Sequence, residues 1–164
     1  MNRTILLLTC LLAACSSHSN TSVLPVEIYN HTSKAINFNM TDATKKDWKG
    51  WELGYGGGGY GVSAYDSTSG SAWQVPRKWD PNYTIFFQWA GNNEIYTNPK
   101  RAFVKLPKYK EEEKVTLAIH FFPNDNIKAF VTNLTPDYPE YPYGWPQDDD
   151  PKRKKKIGKR HATE

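Results

Sequence analysis

The groups of this sequence that could carry chemistry are four histidines, a set of serines, one acidic triplet and a glycine run. His120 has no second histidine or carboxylate close to it in sequence, His18 and His161 fall towards the chain ends, and His31 sits in a turn. No metal-ligand spacing emerges, and no metal is expected. Ser63, Ser67, Ser69 and Ser71 could be nucleophiles, but they occupy loop-like sequence without a visible base or a Gly-x-Ser-x-Gly elbow. Glu111-Glu112-Glu113 reads as a solvated turn between strands rather than a paired acid and base. The run Gly56 to Gly59 could cradle a phosphate, yet a phosphate loop needs a strand before it, a helix after it and a Lys-Ser/Thr pair, none of which is present. These readings point to a protein that is not an enzyme and takes no cofactor.

The strongest chemical signal lies at the N-terminus. Met1-Asn2-Arg3-Thr4 and the apolar run beginning at Ile5 form a basic n-region and an h-region that stops at Leu12-Ala13-Ala14-Cys15. The apolar run is well short of the roughly 20 residues that span a bilayer. Its closing tetrad is similar to a bacterial lipobox, so residues 1–14 are expected to be a lipoprotein signal peptide and Cys15 the first, lipid-modified residue of the mature chain. Ser16 resembles the second residue of outer-membrane lipoproteins. With about 0.8 kcal/mol per buried CH₂, three acyl chains hold a protein on a bilayer durably, so the domain is expected to face the periplasm from the inner leaflet of the outer membrane.

Removing 14 of the 164 residues leaves 150, with Cys15 as the sole cysteine, so no intrachain disulfide and no thiolate-based site is available. Charge is unevenly placed: seven of the 21 cations fall between Lys152 and Arg160, whereas residues 15–150 carry 13 cations and 16 anions. In a cytosolic protein such a tail would suggest nucleic acid; behind a lipobox no nucleic acid partner is expected. A soluble flexible tail is one reading, and docking on anionic lipid or attraction to an acidic partner is the other.

These groups must be positioned by short strands. Aromatic residues make up 14% of the chain and Gly and Pro number 11 each, scattered along it, which argues against a helical bundle. Residues 16–22 are polar and suit a tether, so the tether is assigned to 15–22 and the domain to 23–146, followed by a charged flexible tail at 147–164. Strands are predicted at 26–30, at 36–40 with Ile36, Phe38 and Met40 on one face, at 71–75, 83–89 and 102–106, and at 114–122 and 126–133. Val115, Leu117, Ile119 and Phe121 are expected to share a face, with His120 on the other as a satisfied structural histidine. The glycine run is expected to be a long loop. Seven or eight such strands make an all-β fold, an antiparallel sandwich or a partly closed barrel. Residues 136–146, rich in Pro and aromatics, are expected to lie extended along the body.

The order of the glycine run, then Val75-Pro76-Arg77-Lys78-Trp79-Asp80-Pro81, Trp89, His120-Phe121-Phe122-Pro123, Val131-Thr132-Asn133 and Pro136-Asp137-Tyr138-Pro139 resembles the bacterial lipoproteins grouped as domain of unknown function 3304. The resemblance covers about residues 26–142. Members are similar to immunity lipoproteins of type VI secretion phospholipase effectors, which implies a periplasmic inhibitor that binds an incoming lipase toxin. The chain departs from the family where cysteines often follow the glycine run; here stand Tyr60, Val62 and Tyr65, so no family disulfide carries over.

An inhibitor of that kind needs a contact surface rather than chemistry. The candidates are Tyr55, Tyr60 and Tyr65 on a Gly/Ser frame, with Trp73, Arg77, Tyr141, Tyr143 and Trp145. Core packing accounts for several of these aromatics equally well, and Arg77 and Lys78 could simply face water at a corner plugged by Trp79. The alternative function is a non-enzymatic envelope scaffold or a glycan-binding lipoprotein with an aromatic platform.

Overall fold

The computed structural model describes residues 20–44, 57–91, 94–95 and 97–154, with the backbone alone at 57–60 and 71. It is an all-β sandwich of eight strands in two four-stranded sheets. The first sheet, ordered β4-β1-β7-β8, holds Asp66–Pro76, Thr21–Asn30, Thr116–Phe122 and Asn126–Thr132. The second, ordered β3-β2-β5-β6, holds Gly57–Val62, Ile36–Asp42, Thr84–Gly91 and Lys100–Lys105. All pairs are antiparallel except β1 and β7, which run parallel from Val26 opposite Leu117 to Asn30 opposite Phe121.

The alternation that marks the strands also builds the core. Ile28, Ile85, Phe87, Leu117, Ile119 and Phe121 are at most 1% exposed between the sheets, and Phe121 packs against Phe38, Phe87 and Trp89. β7 and β8 form the expected hairpin, in which Asn124 and Asp125 take positive φ of 61° and 64°, the backbone hand that a tight antiparallel turn requires. Val115 leaves the expected face: its N–H bonds the Glu113 carbonyl behind the Glu111–Glu113 3₁₀ turn, which delays β7 to Thr116 and leaves the side chain exposed. The acidic triplet is the surface turn foreseen, with the side chain of Lys114 2.6 Å from Glu111.

Three boundaries move for a common reason, tertiary pairing. Residues 57–62 of the glycine-rich stretch are a strand at the edge of the second sheet, with Gly57, Gly58 and Gly59 opposite Met40, Asn39 and Phe38. Glycine disfavours strands for lack of a side chain to pack, but here the backbone ladder with β2 decides. The Gly61 N–H also donates to Asn37 Oδ1 at 2.6 Å, with Gly61 at φ +68°. β4 likewise extends back to Asp66, so Ser67, Ser69 and Ser71 are strand residues. β1 begins at Thr21, inside the stretch assigned to the tether, because Thr21 and Ser22 pair with Pro76 and Val75.

Past β8 the chain returns across the outer face of the first sheet as a strap. Tyr141 is buried on Tyr29 and Ala118, with Phe130, Leu134, Tyr143 and Trp145 packed around it. The strap continues beyond 146 through the 3₁₀ turn Pro146–Asp149 and a helical turn at 151–154, so the charged tail does not begin at 147. Among the described residues no helix is long and apolar enough to cross a membrane.

Candidate functional site

The densest collection of titratable groups lies under the strap. β1 ends with Tyr29 pointing outward from the sheet, β7 brings His120 beside it, and the chain turns after Asn30 so that His31 faces the same layer. The His31 Nε2 and His120 Nδ1 atoms are 2.9 Å apart, His120 Nε2 is 2.8 Å from the Tyr141 hydroxyl, and His31 Nδ1 is 2.7 Å from Asp149 Oδ2. The Tyr29 and Tyr141 rings pack at 6.2 Å between centroids, tilted by 59°. With both rings neutral, the network assigns one direction: Tyr141 donates to His120 Nε2, His120 Nδ1–H donates to His31 Nε2, and His31 Nδ1–H donates to the Asp149 carboxylate.

The electrostatics follow from burial. His120 is 0% exposed and stacked on Tyr29 at 4.4 Å and on Phe130 at 5.7 Å. Burial, reinforced by the adjacent His31, pushes its pKa down to about 3, so the ring is neutral at any physiological pH. Burial likewise raises the Tyr141 and Tyr29 hydroxyls above the usual phenol range. A neutral imidazole with both nitrogens bonded and no exposed surface meets no substrate. The cluster fastens the strap: Tyr141 and Asp149 are its strap side, Tyr29, His31 and His120 its sheet side. His120 is therefore the satisfied structural histidine expected, whereas the sequence placed His31 in a turn and marked no role for Tyr29 or Asp149. A histidine directly after an alternating strand, with another on the outward face of β7, was the available signal.

A second buried polar residue organises the neighbouring end of the sandwich. Asn30 is 0% exposed, and its Nδ2 donates to the carbonyls of Lys34 at 2.8 Å, Val62 at 3.1 Å and Ser63 at 2.8 Å. Its Oδ1 accepts from the N–H of Thr32 at 3.0 Å and from its hydroxyl at 2.8 Å. One side chain thus ties the β1–β2 turn to the β3–β4 turn. The Tyr65 N–H adds a bond to the Thr32 carbonyl at 3.1 Å.

The structure separates the predicted contact residues. Cys15 and Tyr55 lie outside the described residues, and Tyr60 contributes backbone to β3. Tyr65 is half-buried in the β3–β4 turn at φ 54°, uncommon for an aromatic residue. Trp73 is a core residue, 8% exposed, whose indole N–H donates to the Tyr83 hydroxyl at 2.9 Å, so it offers no contact surface. Arg77 is exposed at the far end of β4, with Trp79 plugging that corner and bonding the Leu106 carbonyl at 3.1 Å. Tyr65 and Arg77 flank the 11 residues of β4, a separation on the order of 30 Å at about 3.3 Å per residue. Tyr141 is buried in the strap cluster, and Tyr143 and Trp145 are half-buried around it. Among the described candidates, Trp73 and Tyr141 serve packing, and Tyr65 and Arg77 lie at opposite ends of β4. Of the serines, Ser69 donates to Glu27 Oε1 at 2.9 Å rather than to a histidine. Among the described residues no cluster of three metal-ligating side chains occurs.

With the geometry in place, the sequence matches the family described as protein of unknown function DUF3304 over residues 29–129. The chain belongs to the DUF3304 family. The matched segment opens at Tyr29 and closes in β8, so it takes in Asn30, His31 and His120. The strap residues Tyr141 and Asp149 that complete the polar cluster lie beyond the DUF3304 match. No curated protein matches the chain.

Proposed function

We propose that this chain is a lipid-anchored periplasmic immunity protein that binds and neutralises a type VI secretion phospholipase effector, without catalysing a reaction of its own. The observation that carries the reading is the use to which the sandwich puts the titratable groups under the strap. His31, His120, Tyr141 and Asp149 bond one another, two of them under 3% exposed, and hold the protein's own strap. A scaffold that spends its chemistry on rigidity acts through its surface, and a rigid surface binds with little ordering cost. The lipobox reading of the sequence supports the compartment, and the resemblance to immunity lipoproteins drawn from the sequence supports the target. Occlusion of the effector's active-site mouth is the simplest mechanism.

The test is growth and membrane integrity of cells that export the product of the neighbouring gene to the periplasm, with and without this chain. A product that kills alone and is harmless in its presence is the expected result. A harmless product, or one that kills equally in both strains, overturns the reading in favour of an envelope scaffold or glycan binder.

A further inference from the structure

The end of the sandwich at which β1 finishes carries a groove of about 310 Å³ between the two sheets. Trp89 and Phe122 form its apolar wall, Tyr65 its side, and Lys34 and Lys100 stand on its rim. This is the small end of ligand-sized cavities, roughly 300–1,000 Å³, and fits one or two side chains rather than a cofactor. Lys100 is paired with Asp125, whereas Lys34 is exposed and makes no ion pair among the described residues. The groove therefore offers one uncompensated cation beside aromatic surface.

Two further observations bear on its use. Every non-glycine residue with positive φ among those described, Tyr65, Asn124 and Asp125, lines this groove. Asn and Asp suit such turns, but a tyrosine held there at a backbone cost is retained for its side chain. The rim is also fixed in advance, because Asn30 bonds the turns that carry Lys34 and Tyr65. The chain's polarity puts the groove at the end of the domain opposite the tether. Six residue steps separate Cys15 from Thr21, a reach of at most about 20 Å, so a lipid on Cys15 keeps the start of β1, with the Arg77 corner beside it, near the bilayer. The ten residues of β1 put the groove about 30 Å from that end of the domain.

We infer that this groove, at the end of the domain remote from the tether, is the docking site for a projecting loop of a partner protein, which places a carboxylate on Lys34 and an adjacent apolar side chain against Tyr65 and Phe122. The identity of the partner rests on the immunity reading; the place and chemistry of the contact rest on the groove. Arg77, at the membrane-proximal corner, takes no part.

The experiment measures affinity of the full mature chain for the purified product of the neighbouring gene. Lys34→Glu reverses an exposed charge, Tyr65→Asn substitutes a residue that tolerates the left-handed backbone, and Arg77→Glu is the control at the opposite end. Lys34→Glu and Tyr65→Asn are expected to weaken binding by about tenfold or more with no fall in melting temperature, and Arg77→Glu by less than about twofold. Wild-type affinity in both groove variants overturns the groove and leaves the immunity reading standing. A wild-type chain that does not bind overturns both. Equal losses in Lys34→Glu and Arg77→Glu assign the effect to overall charge and likewise overturn the groove.

Discussion

Acidification should unfold this domain through one buried imidazole. His120 has an ordinary pKa of about 6.5 in the unfolded chain, and burial beside His31 lowers it to about 3 in the fold. Between those values the unfolded state binds the extra proton, so stability is complete above pH 6.5 and is lost as the pH falls towards 3. At pH 5.0 the unfolded histidine has gained about 1.5 pH units of protonation free energy that the folded one forgoes. At about 1.36 kcal/mol per unit, moving from pH 7.5 to 5.0 costs about 2 kcal/mol. For a domain of this size that is a fall in melting temperature of about 7 °C. Calorimetry at the two pH values, on the wild type and on His120→Asn, isolates the contribution. The wild type should show the larger pH dependence, by about that amount, and the His120 ring resonances should not titrate above pH 4. A ring that titrates near pH 6.5, or identical pH dependence in the two proteins, would refute the argument that burial keeps this histidine neutral.

Other perturbations test neighbouring parts of the same reasoning. Tyr141→Phe removes the donor to His120 Nε2 and leaves a buried acceptor unpaired; it should cost about 1–3 kcal/mol in urea unfolding and open the strap to limited proteolysis. An unchanged proteolysis rate would show that the strap is held by its aromatics alone. Gly70→Ala would place a Cβ 2.8 Å from Ile28 Cδ1 in the core, and a loss of about 1–3 kcal/mol is expected; a neutral result means that Ile28 can move aside. Cys15→Ser should release the protein from the membrane fraction into the soluble periplasm and abolish labelling by palmitate. Retention on the membrane would point to another anchor.

The sequence by itself determined what depends on neighbours along the chain. Alternation at Ile36, Phe38 and Met40, and again through β7 and β8, selects strands because side chains two apart share a face. Trp79 as a corner plug and the acidic triplet as a surface turn follow from proline and charge placement. Tertiary structure decided whatever depends on a partner far away in sequence. Residues 57–62 are a strand only because β2 lies alongside, a pairing that glycine propensity opposes. His31 is buried only because Phe122 stacks on it at 4.4 Å and Asp149 arrives from 118 residues away. Trp73 and Arg77, four residues apart, go to the core and to solvent because β4 alternates and then ends at Pro76. An aromatic residue carries the same local signal in a core, under a strap or on a contact surface. Only the packing of the two sheets and the returning strap placed Trp73 in the core, Tyr141 under the strap and Tyr65 beside the groove.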